Sequence, residues 1–204
     1  DNWAVEMTPT TALIENYFNS LADLGANVIA TKSPVDGYSL ANAFDWAVSR
    51  INITRDAGGK IIFVGNGGSA AIASHMAIDY SKNGGFPALA FNDAASLTCL
   101  ANDLGYDQVF AHHVNTLGRA EDMLIAISSS GQSKSILNAV AKARGKSMPV
   151  LTLSGFEHDN PLRLLGDVNL FVPSAAYGFV EITHLTLCHA ILDIAMGWCP
   201  ENSK

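Results

Sequence analysis

Residues 61–80 read IIFVGNGGSAAIASHMAIDY. The apolar run IIFV (61–64) is too short for a helix and has the composition of a strand buried on both faces. It runs into the turn Gly65-Asn66-Gly67-Gly68-Ser69. A helical stretch follows over 70–82, carrying His75 and Asp79 four residues apart and therefore on one face. Strand, tight turn and helix make half of a βαβ unit. The pattern then repeats along the chain. PALAF (87–91), MLIAIS (123–128), PVLTLS (149–154) and VNLFV (168–172) are short apolar runs bounded by turn signals. With KIIFVG (60–65) they predict five strands. Helical stretches fall at 94–103, 107–118, 133–145, 160–165 and 178–197. This alternation predicts an α/β fold, a parallel sheet covered by helices on both faces.

Ahead of that core, 9–31 and 39–57 read as amphipathic helices, separated by the linker SPVDG (33–37). Leu13, Ile14, Tyr17, Phe18 and Leu21 recur at helical spacing in the first. The expected organisation is a helical segment over 1–58, suited to oligomerisation, and a domain over 59–204, forming one compact unit. No repeat or low-complexity segment interrupts it.

The chain has 204 residues, 49% of them apolar and 15% charged, which suits a packed core rather than disorder. Its formal charge of −7 argues against nucleic acid or an anionic membrane as partner. A local anion pocket built from backbone N–H groups remains compatible with that charge. Three cysteines, Cys99, Cys188 and Cys199, form no Cys-x-x-Cys pair and read as reduced thiols, Cys99 and Cys188 as small core residues. No uninterrupted apolar run reaches the length of a membrane span. The first residues, DNWAVEM, show no signal-peptide pattern, so a cytoplasmic location is expected.

Ligands of open α/β sheets sit beyond the carboxyl ends of the strands. Two turns occupy that position. One is Asn66-Gly67-Gly68-Ser69. The other is Ser128-Ser129-Ser130-Gly131-Gln132-Ser133, just before the helix SILNAVAKAR. One serine is enough to cap a helix; four hydroxyls in six residues point to a phosphate dianion held without lysine. The first turn lacks G-x-G-x-x-G spacing, since position 70 is alanine, and no Walker lysine follows it. A small phosphorylated metabolite is therefore expected, and no nucleotide cofactor.

GNGGSA followed by H-x-x-x-D, then ANDLGYDQVF, AISSSGQS and E-x-x-H-x-x-x-x-H together resemble the sugar isomerase (SIS) domain family, most of all its phosphoheptose isomerases. That resemblance implies a flavodoxin-like three-layer sandwich around a parallel five-stranded sheet. It implies a homotetramer with sites between subunits, and conversion of sedoheptulose 7-phosphate to heptose 7-phosphate. The serine loop carries over as the phosphate site, at Ser128, Ser129, Ser130 and Ser133. Asn66 and Ser69 match the family's first turn, and Asp103 a substrate-contacting aspartate. The acid/base pair falls on Asp79 and His189. The positions that bind zinc in some members are His75, Asp79, Glu181 and His189. Asp79 stands where the family usually has glutamate and Glu181 where it has glutamine; Asn83 and Gly178 replace an arginine and an aspartate.

Glu181 and His189, eight apart, lie about 80° around a helix and share a broad face. Two helices could then bring two imidazoles and two carboxylates to one point, a donor set for zinc or another divalent metal. His184 lies about 140° from His189, away from that point. The adjacent His112 and His113 point apart. An aldose–ketose isomerisation requires a base at carbon, an acid or metal at the carbonyl oxygen and a phosphate anchor. Asp79 and His189 serve a metal-free version, and the four-residue set a metal version. Two non-catalytic alternatives stand beside the enzyme. One is a partner of the bacterial replication initiator, although relatives of that kind lack the helix carboxylate and the final histidine. The other is a sugar-phosphate sensor.

Overall fold

The computed structural model describes residues 9–32 and 37–202. The chain runs α1 (Pro9–Ala26), β1 (Ile29–Thr31), α2 (Leu40–Asp56), β2 (Ile61–Gly65), α3 (Gly68–Lys82), β3 (Ala88–Ala90), α4 (Ala94–Leu104) and α5 (Val109–Leu117). It continues with β4 (Met123–Ser128), α6 (Lys134–Gly145), β5 (Val150–Ser154), β6 (Val168–Phe171) and α7 (Tyr177–Ala195). Single 3-10 turns occupy Tyr106–Gln108, Pro161–Leu164 and Pro200–Asn202.

The strands join in the order β1-β6-β5-β4-β2-β3. All neighbours are parallel except β1, which runs antiparallel to β6 with Ile29 opposite Phe171. β2, β4, β5 and β6 are buried along their whole length. Alternate side chains go to opposite faces of a strand, and the core divides accordingly. Ile61 and Phe63 of β2 pack with Ile51 of α2, Met76 and Tyr80 of α3 and Ile191 of α7. Ile62 and Val64 pack on the other face with Phe110 and Val114 of α5 and Ile136 and Val140 of α6. Each such side chain contributes about 1.5–3 kcal/mol of burial. The result is the three-layer flavodoxin-like sandwich, with helices on both faces.

The sheet has six strands, not five. Residues 29–31, read as the end of the first helix, form β1. Helix α1 stops at Ala26, and Asn27 closes it with its backbone N–H on Asp23 O at 3.0 Å and its side chain on the same oxygen at 2.8 Å. The β-branched residues beyond then add to the free edge of β6. A three-residue antiparallel edge strand carries too little pattern to be read from periodicity. The stretch at 160–165 is a 3-10 turn rather than an α-helix. The linker 33–37 lies, but for Gly37, outside the described residues. Cys188 is buried, its thiol pushed up to about 12 by burial, whereas Cys99 is exposed on α4 and is not a core residue.

Two helices differ from the interior ones. The apolar stripe of α1 faces outward: Leu13 is 69% exposed and Phe18 63%, while Tyr17 leans on Phe179 of α7 with ring centroids 4.6 Å apart. Among the described helices, α7 alone is long and apolar enough to cross a membrane by length and composition. Here its Val180, His184, Leu187, Cys188 and Ile191 are buried in the core.

Candidate active site

β2 and β4 are neighbours, with Gly65 opposite Ile127. From β2 the chain crosses to β3 on one side, then back to β4 on the other. The turns after β2 and β4 therefore diverge and leave a crevice at the carboxyl end of the sheet, the topological switch point where such folds bind ligands. The crevice is a cleft of about 240 Å3. Asn66, Gly67, Gly68 and Ser69 form one wall and Ser128, Ser129, Ser130 and Ser133 the other, with Tyr177 and Glu181 of α7 at the rim.

Local chemistry holds each wall in shape. Gly67 adopts φ 55° and ψ −123°, a conformation closed to other residues, and this turns the chain into α3. Asn66 donates from Nδ2 to Ser135 Oγ at 3.0 Å and accepts from Tyr106 OH at 2.8 Å, so both ends of its amide are used, one on the first turn of α6 and one on the 3-10 turn after α4. In the serine loop, Gly131 N–H donates to Ser128 Oγ at 3.2 Å and Gln132 N–H to Ser130 Oγ at 3.2 Å. Ser133 occupies the N-cap of α6, yet its side chain makes no cap bond. Its hydroxyl instead meets Ser128 Oγ at 3.5 Å and lines the cleft.

Beneath the loop sits Asn160, 2% exposed. Its Nδ2 donates to Glu157 O at 2.8 Å, Gly155 O at 3.2 Å and Ser154 Oγ at 3.3 Å. Its amide oxygen is aimed at Gly131, where any side chain would collide with it. Gly131 has φ +63°. Asn160, Tyr106, Ser135 and Tyr177 were not singled out from the sequence. Tyr106 lies inside the motif ANDLGYDQVF, where only Asp103 drew notice. Asp103 itself is exposed on α4, bonded to Asn102 Nδ2 at 2.7 Å, and is not among the residues lining the cleft.

Two of the helices that start at the cleft, α3 and α7, lead to a second cluster. His75 and Asp79 of α3 and His189 of α7 offer ligand atoms within 4.8 Å of one another. His75 Nε2 lies 3.3 Å from His189 Nε2 and 3.4 Å from Asp79 Oδ2; His189 Nδ1 lies 3.8 Å from Asp79 Oδ2. Asp79 also accepts from Asn83 Nδ2 at 3.3 Å. The register between the helices is set by Tyr80, adjacent to Asp79, whose buried hydroxyl donates to the carbonyl of Cys188, adjacent to His189, at 3.1 Å. Burial pushes the Tyr80 phenol well above its usual range, so it remains a donor.

Glu181 is not part of this trio. It lies nearer the start of α7, with its carboxylate against Gly68, where any side chain would overlap it. His112 and His113 have ring centroids 6.0 Å apart, and His113 stacks on Phe91 at 4.7 Å and meets Ser96 Oγ at 2.6 Å.

His184 turns into the core, fully buried, and its Nε2–H donates to Ser154 O at 3.1 Å. Burial pushes its imidazole down to about 4. The folded chain thus keeps His184 neutral at a pH where the unfolded chain protonates it. Its contribution is complete above the unfolded value near 6.5 and is lost as pH falls from there toward 4, on the order of 3 kcal/mol in all. Urea unfolding at pH 7.5 and 4.5 should show that loss. His184→Gln should start less stable at pH 7.5 and lose less on acidification.

A doubly wound sheet with a hydroxyl-lined cleft at its switch point, and an imidazole–carboxylate cluster beside it, is the layout of an α/β domain suited to a small polar ligand. The family model described as SIS domain matches residues 16–155, and the chain belongs to that family. It is 35% identical over 188 residues to a phosphoheptose isomerase of Yersinia pestis (strain Pestoides F), covering 89% of this chain and 94% of the relative. Among solved structures, a phosphoheptose isomerase from Francisella tularensis superposes with a TM-score of 0.78 at 30% identity, over 94% of this chain and 100% of that one. The phosphoheptose isomerase from Neisseria gonorrhoeae does so with a TM-score of 0.76 at 30% identity, over 91% and 99%.

Proposed function

We propose that the chain interconverts the ketose and aldose forms of a phosphorylated sugar, with sedoheptulose 7-phosphate and heptose 7-phosphate as the pair its relatives indicate. The observation that carries this reading is the common layout of α3 and α7. Both begin at the anion cleft, and both present their acid–base groups further along. From Ser69 to His75, and from Glu181 to His189, the helices advance about 9 and 12 Å at about 1.5 Å per residue. An extended chain advances about 1.2 Å per bond. The roughly eight bonds from a sugar C1 to a C7 phosphorus would then reach about 10 Å. That span matches a seven-carbon chain anchored at one end and reacting at the other.

In the reaction, the C1–H bond of the ketose breaks and its electron pair forms the C1=C2 bond of an enediol. O2 gains a proton, O1 then loses one, and C2 is protonated to give the aldose. Asp79 is the carboxylate placed to take and return the carbon proton, and His189 beside it exchanges protons with the oxygens. His75, Asp79 and His189 also fit a divalent ion. Tetrahedral ligands at about 2.0–2.1 Å lie about 3.3–3.4 Å apart, the separations His75 Nε2 makes with His189 and Asp79. A zinc ion held there would supply Lewis-acid polarisation of the substrate carbonyl, as an alternative to the metal-free version because a carboxylate holding zinc is a poorer base. Glu181 then faces the sugar chain between cleft and cluster.

The outward apolar stripe of α1 supports a homotetramer built through the segment 1–58, with sites at subunit interfaces. Three free thiols suit a reducing compartment such as the cytoplasm.

The test is turnover of a ketose phosphate panel by the purified chain. Sedoheptulose 7-phosphate should be isomerised, and inorganic phosphate should compete with it. Hydrogen bonds to a charged group contribute about 1.5–3 kcal/mol. Ser133→Ala should therefore raise KM about 10- to 100-fold and weaken phosphate inhibition in parallel. Turnover of none of the sugar phosphates, or inhibition untouched by the substitution, would overturn the assignment.

A further inference from the structure

At the opposite end of the sheet, where β5 and β6 begin, lies a cleft of about 590 Å3. Its lining includes Lys32, Trp46, Arg50, Arg144, Ser147 and Asp167. The volume falls within the range of small-ligand sites. Three cations in one concavity stand out on a chain of net charge −7. Arg144 is paired with Asp167 Oδ1 at 2.9 Å, and the other oxygen of Asp167 accepts Val150 N–H at 2.8 Å, so that carboxylate is already used twice. Lys32 and Arg50 make no ion pair among the described residues. Lys32 lies 5.3 Å from the Tyr38 ring centroid, and Arg50 lies 6.0 Å from that of Trp46. Two positive charges therefore line the cleft without an anionic partner among the described residues.

The floor of the cleft is unusual as well. Ser147 holds φ 61° at the end of α6, a position where glycine is normally favoured. Ser147 lines the cavity in a backbone conformation that costs about 1–2 kcal/mol.

We propose that this cleft is a second anion site, separate from the serine cleft, for a small metabolite bearing a diphosphate group. Lys32 and Arg50 supply the charge and Ser147 a hydroxyl donor. Trp46 lies within the site and reports occupancy.

The test is titration of the full-length protein with inorganic pyrophosphate and with ADP, read by calorimetry and by tryptophan fluorescence. Both probes should bind, and Arg50→Gln and Lys32→Gln should each weaken binding about tenfold. Ser133→Ala should leave the tryptophan response unchanged, and Trp46→Phe should abolish that response while the heat remains. ADP binding more tightly than pyrophosphate would place its base against the indole; equal affinity would leave the diphosphate as the recognised group. No heat with either probe would overturn the site. So would binding that falls with Ser133→Ala and is untouched by Arg50→Gln, because the anion would then be in the serine cleft. Sugar-phosphate turnover is a separate readout, and its failure would leave this result standing.

Discussion

Asp79→Asn is expected to lower kcat/KM for the sugar phosphate by about 10^2–10^4-fold, the range for loss of a positioned general base. The replacement keeps the shape of the side chain and removes its charge and its capacity to accept a carbon-derived proton. Asp79 is the single carboxylate of the trio, with His75 3.4 Å and His189 3.8 Å away. An amide at that position can neither take the proton nor supply an anionic ligand. Its side chain is 19% exposed and the helix is held independently by Tyr80 on Cys188, so folding should be almost unaffected. Thermal unfolding of the variant should therefore match the parent while steady-state rates collapse. Asp79→Glu restores the carboxylate with one more methylene and should recover much of the rate. A fully active Asp79→Asn protein would remove Asp79 from the chemistry.

Gly131→Ala should act through the serine loop and on stability together. Two independent penalties coincide there. The φ of +63° disfavours any L side chain, and the new methyl would overlap the Asn160 amide. Asn160 is 2% exposed and fastened by three hydrogen bonds from its own nitrogen, so it has nowhere to retreat. Strain and overpacking of this kind sum to about 2–4 kcal/mol. Because Gly131 N–H donates to Ser128 Oγ and its carbonyl accepts from Leu162 N–H at 3.2 Å, the loop must shift to relieve the clash. The urea midpoint should fall, and KM for the sugar phosphate should rise more than kcat falls. A companion Asn160→Ala opens space and tests the coupling: the double variant should be less impaired than the sum of the two. Strict additivity would show that Asn160 does not shape the loop.

Much of this arrangement is legible along the chain. The run 61–64, the glycines after it and the spacing of His75 and Asp79 are local signals, and the β2-α3 unit follows from them. The four hydroxyls of the second turn mark its chemistry because one would serve as a cap. What escaped reading depends on contacts distant in sequence. β1 is recruited by the edge of β6, more than a hundred residues away. The Tyr80–Cys188 bond, which sets the register of α3 against α7, joins two residues that each read as ordinary core. Asn160 acts through an amide beneath a loop thirty positions earlier. That His189 meets His75 and Asp79 was suggested by the family resemblance, whereas the seat of Glu181 against Gly68 depends on how closely α7 approaches the start of α3. Asp103 carried a family match, yet within the single chain its helix directs it outward.

The most direct test of the enediol reaction is turnover of sedoheptulose 7-phosphate in deuterium oxide, followed by proton NMR of the aldose product. On the proposed mechanism Asp79 takes the carbon proton and exchanges it with solvent before returning it, so C2 of the product should carry deuterium, and Asp79→Asn should show no incorporation. Full retention at C2 of the proton that left C1 would contradict a solvent-exchanging Asp79 and leave a shielded proton transfer or a hydride shift between the carbons as the route.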